Sequence, residues 1–131
     1  MRRRPPFASG RIAGDYEPLF LYWEAARRAG REDLVERAML REEDYRLASR
    51  LAREAGRLGD LLDRLEEVML ERVDPGVAAE AYRMYGAPVG DEDARRLIAR
   101  LLASWLVEAA EHWGFLRLRG LGDRHPAGEG E

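Results

Sequence analysis

The chain predicts an all-α fold: a small helical bundle with one long central helix, or two near-collinear ones, and flexible termini. Three observations carry this. Apolar residues recur at alternating spacings of three and four along several segments. Asp, Pro and Gly stand at the joints between those segments, where helices start and stop. No segment between Asp15 and Trp113 alternates apolar and polar residues as a half-buried strand would. A length of 131 residues fits one domain with a single, modest core.

Residues 1–14, MRRRPPFASGRIAG, read as a flexible Arg/Pro/Gly arm without sustained periodicity. The helical domain is expected over residues 15–113. Asp15 is the expected N-cap of its first helix, with Pro18 in the first turn. Leu19, Tyr22, Trp23 and Ala26 form that helix's apolar stripe, and Gly30 stops it. A short helix follows, with Leu34, Val35, Ala38 and Met39 on one side. The next begins near Arg41. Glu42, Glu43 and Asp44 place negative charge in its first turn, where the helix dipole favours it. Its stripe of Ala48, Leu51, Ala55, Leu58, Leu62, Leu65 and Met69 runs through Gly56 and Gly59 without changing phase. That continuity predicts one helix, or two in line. It leaves close packing against a neighbour as the reason for the glycines.

Val-Asp-Pro-Gly at 73–76 then punctuates the chain. Asp74 is an expected cap, Pro75 suits the first helical position, and Val77, Ala81, Tyr82 and Tyr85 mark the helix that follows. GAPVGD breaks it, and Asp91 is the expected cap of the last helix, which Gly114 ends. Ala94, Ile98, Leu101, Trp105 and Ala109 are its predicted buried face, with Arg96, Arg100 and Glu111 opposite. Residues 114–131 form a C-terminal extension with one short extended piece at most and a Gly-rich tail.

Composition narrows the chemistry. Hydrophobic residues make up 46% and charged residues 36%, a globular balance. Cysteine is absent, which removes disulfides, thiolate metal sites and cysteine nucleophiles together and fits a reducing cytoplasm. All 22 basic residues are arginines, and lysine, asparagine, glutamine and threonine are missing. Schiff-base lysines and phosphate-loop Lys-Thr pairs are thereby excluded. The net charge of −3 argues against a dedicated nucleic-acid binder. Arg2-Arg3-Arg4 precedes Pro5-Pro6 rather than the apolar run of a secretory signal, and no stretch approaches the length of a membrane span.

Candidate catalytic groups are few. Glu108 and His112 stand four apart and so share a helical face, yet no third ligand has metal-site spacing. A solvated histidine near a helix end accounts for His112, and an exposed one in the tail for His125. The carboxylate clusters Glu42–Asp44, Glu66-Glu67 and Asp91–Asp93 are explained by helix starts and solvated faces. Ser9, Ser49 and Ser104 lack a nucleophile-elbow setting. No catalytic, cofactor-binding or metal-binding residue is therefore assigned. Aromatic residues and arginine dominate interface hot spots. The expected subunit-interface residues are Trp23, Leu51, Ala55, Gly56, Tyr82, Trp105 and Trp113.

From Leu40 onward the chain resembles the small subunit of adenosylcobalamin-dependent diol and glycerol dehydratases. LREEDYRLASRLAREAGR places Glu43, Arg46, Leu47, Ala52, Ala55, Gly56 and Arg57 in matching positions. In the same register, Asp74-Pro75 meets the family's Pro-Asp punctuation, and AAEAYRMYG with Tyr82 meets its next helix. WLVEAAEHW aligns Glu108, Ala109, Ala110 and Trp113 with a late family segment. LDRLEEVML and GAPVGDED depart from the family's pattern, the last helix is shorter, and residues 1–39 lack its N-terminal segment. The resemblance implies a helical, non-catalytic subunit that packs on a large barrel subunit, beside a medium one. Adenosylcobalamin would belong to the holoenzyme rather than to this chain. The residues alone leave two other readings open. One is a helical adaptor or self-associating bundle; the other is a small nucleic-acid-binding protein using its arginines.

Overall fold

In a computed structural model, residues 12–118 are described and form six helices with no strand among them. They are α1 (Glu17–Arg28), α2 (Glu32–Arg37), α3 (Glu42–Ala55), α4 (Leu58–Leu70), α5 (Pro75–Tyr85) and α6 (Asp91–His112). The all-α bundle expected from the sequence is the fold observed. Arg2–Arg4, Ser9, His125 and most of the arm and tail lie outside the described residues. Ile12 and Ala13, assigned to the arm, pack against the core, as does Phe115 of the extension.

The central helix is α6. It packs on α3, α4 and α5 and meets α1, while α1 lies on α5 and α2. Every residue from Leu102 to Ala110 is buried, so the stripe read from the sequence covers only part of its contact surface. A helix apolar all round belongs inside a core. Ala99, Ala103, Ala109 and Ala110 let neighbouring helices approach on several sides.

The single helix expected through Gly56 and Gly59 is corrected by the structure. Gly56 has φ +75°, and its N–H donates to the Ala52 carbonyl at 3.3 Å, a left-handed closure of α3. Arg57 is extended, with φ −136° and ψ 145°, and α4 starts at Leu58. The two helices fold back on each other rather than lying in line. Arg72, just beyond α4, reaches Asp44 at the start of α3, with Nη2 to Oδ1 at 2.6 Å. Collinear helices of 14 and 13 residues would hold those ends about 40 Å apart. The stripe kept its phase because both halves of the hairpin face α6, and the step from Ala55 to Leu58 suits a turn as well as a helix. Close packing against a neighbouring helix of this chain does not explain the glycines: a Cβ at Gly56 or Gly59 would meet nothing within 4 Å.

Smaller differences follow from local hydrogen bonding. Tyr16 holds the N-cap position of α1, while Asp15 Oδ1 accepts from the Glu17 N–H at 2.9 Å. Gly90 precedes α6, so Asp91 is its first residue and not its cap. Asp74 does cap α5, its Oδ2 accepting from the Val77 N–H at 3.0 Å. Met39 and Tyr85, grouped with the apolar residues of their helices in the sequence, are exposed. Three contacts close the hairpin on itself and lock it and α5 to the rest. Asp44 takes both Arg72 nitrogens, Arg95 Nε donates to the Leu70 carbonyl at 3.1 Å, and Asp74 N–H donates to the buried Tyr22 hydroxyl at 3.0 Å.

Candidate interaction groove

Residues four apart on a helix stand one above the other. Leu58 and Leu62 of α4 make one such pair, and Leu97 and Leu101 of α6 make another. The two rows face each other across a groove of about 300 Å³, with Tyr82 and Ser104 in its lining and Ile12 and Ala13 at its side. Gly59 adds no side chain to the α4 wall. Leu97 is left 43% exposed, a large apolar side chain on an otherwise charged stretch of α6. Arg100, also in the lining, is held by Asp63 at 2.7 Å and Glu66 at 3.2 Å, which braces α6 against α4. Burial, followed by the nearby Tyr85 and Asp15, pushes the Tyr82 hydroxyl up to about 12, so it stays neutral at physiological pH.

Glu108, 2% exposed, is the one carboxylate set deep in α6. Its Oε2 accepts from the Tyr16 hydroxyl at 2.8 Å and from the Ile12 N–H at 3.3 Å. Burial first, and then the Glu108 carboxylate, push the Tyr16 hydroxyl well above the usual phenol range, so it stays protonated and donates the hydrogen bond. An aromatic group surrounds this bond: Tyr16, Phe20 and Trp23 all pack on Trp105, with ring centroids 4.9–6.0 Å apart. The arrangement ties the start of α1 to the middle of α6. The Glu108–His112 pairing read from the spacing does not form a site. Glu108 is buried, whereas His112 is exposed with its ring edge-on to Trp113. Among the described residues no three His, Asp or Glu side chains are placed to hold a metal ion.

The expected interface residues are scattered. Leu51 and Trp105 are covered by the chain's own core. Trp23 is half-buried and joins the main core to a smaller cluster of Ala26, Leu34 and Val35. Ala55 packs against the core, Gly56 lies in the exposed turn, and Trp113 stands 58% exposed at the end of α6. Of the seven, Tyr82 alone lines the groove. The residue the sequence reading missed is Leu97. Its signal was a second apolar row, Leu97–Leu101–Ser104, beside the stronger Ala94–Ile98 one.

Comparisons with protein families, with curated proteins and with solved structures find no match to this chain. No helix among the described residues is long and apolar enough to cross a membrane.

Proposed function

We propose that this chain is a non-catalytic helical subunit whose α4–α6 groove seats a segment of a protein partner. The observation that carries the reading is the apolar groove between α4 and α6, with Leu97 exposed in its lining. Helix-in-groove recognition uses such rows of side chains four apart. The narrower form of the proposal is the one the sequence resemblance implies. There the partner is the large barrel subunit of a cobalamin-dependent diol or glycerol dehydratase, with the medium subunit beside it in a cytoplasmic hetero-oligomer. In that assembly the partner subunits hold adenosylcobalamin and the diol, and this chain supplies packing surface alone.

Co-expression with such a large subunit, followed by affinity purification on this chain, tests the narrower form. The wild-type chain should retain the large subunit, and Leu97→Asp should lose it while keeping its own helical circular dichroism. Failure of the wild-type chain to retain it rejects the dehydratase assignment. A complex indifferent to Leu97→Asp would place the contact elsewhere and reject the groove.

A further inference from the structure

The chain's own N-terminal segment leads into the groove. Ile12 and Ala13 belong to the groove's lining. Ile12 is pinned there: its N–H donates to the buried Glu108 carboxylate at 3.3 Å, on the oxygen that also accepts from Tyr16. Glu108 stands one helical turn beyond Ser104, which ends the lined stretch of α6. Residues 1–11 lie outside the described residues, and they join the bundle at this end of the groove.

Back along α6 from that end, Ser104, Leu101, Leu97 and Asp93 follow at spacings of three and four and so form one row. Leu101 lies about 10 Å along the axis from Glu108, Leu97 about 16 Å and Asp93 about 22 Å. Residues 1–11 carry side chains that match these levels. Phe7, their one aromatic residue, stands five before Ile12, a reach of at most about 18 Å. Arg4 stands eight before it, a reach of at most about 29 Å, with Arg3 and Arg2 further on. Phe7 thus reaches the leucines of the row. The arginines reach Asp93 and its exposed neighbours Asp91 and Glu92. Charge agrees on the larger scale. Residues 1–11 hold four arginines and no acid, while the described residues hold 16 arginines against 22 carboxylates.

From this alignment we infer that residues 1–11 of the same chain occupy the groove when no partner does. Phe7 then covers Leu97 and Leu101, and Arg2–Arg4 lie at the acidic start of α6. The inference rests on the groove reading above and adds a regulation to it: a partner segment must displace Phe7. A buried phenyl ring removes about 150–250 Å² from water. Tethering at Ile12 gives the segment an effective concentration in the millimolar range, so a weak contact suffices. Pro5 and Pro6 each fix one backbone angle, which reduces the entropy lost on docking. Acids at the start of α6 also complement its dipole. That role involves neither Phe7 nor the entry of the chain beside Ser104.

Methyl NMR of the full chain, with protonated phenylalanine and methyl-labelled leucine, tests the placement. The Phe7 ring, assigned by comparison with Phe7→Ala, should give cross-peaks to the Leu97 and Leu101 methyls. A peptide of roughly five helical turns with leucine at helical spacing should erase them on saturation. By fluorescence anisotropy, Phe7→Ala should bind that peptide about tenfold more tightly than the wild-type chain, with an unchanged melting temperature. Leu97→Asp should abolish the cross-peaks and the binding alike. Absence of the cross-peaks, or equal peptide affinity with and without Phe7, overturns the inference. Peptide binding that persists in either case leaves the groove reading standing. If neither form binds the peptide, the groove reading itself falls and the regulation with it. Cross-peaks seen between differently labelled chains in a mixed sample assign the groove to the arm of a second copy, which also overturns the inference.

Discussion

An alanine at position 56 would have to adopt φ near +75°, where its Cβ crowds the following carbonyl. Gly56→Ala should therefore lower stability by about 1–2 kcal/mol in urea denaturation, although a Cβ there would touch nothing. Gly59 lies inside the first turn of α4 with no such constraint. Gly59→Ala should leave stability unchanged or raise it by up to about 1 kcal/mol. The pair separates backbone strain from packing at two glycines three residues apart. Glu108 poses a different residue-scale problem. Replacing it with leucine leaves the buried Tyr16 hydroxyl and the Ile12 N–H without this acceptor, and each buried orphan costs about 1–3 kcal/mol. Denaturation of Glu108→Leu, alone and with Tyr16→Phe, checks this: the second change should recover part of the loss.

The α3–α4 hairpin depends on its far end as much as on its turn. Asp44 is buried, yet it accepts two bonds from Arg72 and one from the Arg41 N–H at 2.8 Å. Burial opposes its charge. The Arg72 guanidinium and the Arg41 backbone outweigh that and hold the carboxyl below the usual range. The folded state therefore gains stability from Asp44 above the unfolded carboxylate value of about 3.9 and loses it as pH falls through the lower folded value. Stability measured from pH 6 downward should drop below about pH 4. Asp44→Asn should flatten that drop. At neutral pH, Arg72→Ala should cost about 3 kcal/mol, because it strands a buried charge. The apolar stripe had announced both helices of the hairpin, residue by residue. It could not announce the fold-back, because a seam facing one neighbour looks the same on one straight helix and on two antiparallel ones. The glycine at the break was visible. Its left-handed backbone was not, since a helix interior and a helix end tolerate the same letter for different reasons.

At the scale of the whole molecule, α6 is the post around which the other helices are arranged. Leu106 is fully buried on it, and Leu106→Ala should cost about 3 kcal/mol in denaturant. Leu97→Ala, on the exposed row of the same helix, should change stability by no more than about 0.5 kcal/mol. Amide exchange should be slowest between Leu102 and Ala110, where opening requires the whole bundle to part. The helical class, the punctuation at Asp74-Pro75 and the end at Gly114 were legible because caps and turn residues act locally. The centrality of α6 was less so. Its run from Leu102 to Ala110 includes Ser104 and Glu108, which weaken the apolar reading, and the partners that satisfy Glu108 lie more than ninety residues away. The groove was legible only in part, since an exposed leucine between arginines reads as noise until a second helix supplies the facing row. The central claim is that this row receives a partner. Methyl NMR of the full chain, titrated with an amphipathic helical peptide bearing leucines at helical spacing, tests it most directly. Saturable shifts should be confined to the methyls of Leu58, Leu62, Leu97 and Leu101, leaving Leu65 and Leu106 in place. Shifts that are absent, or that spread through Leu65, Leu102 and Leu106 instead, would contradict it.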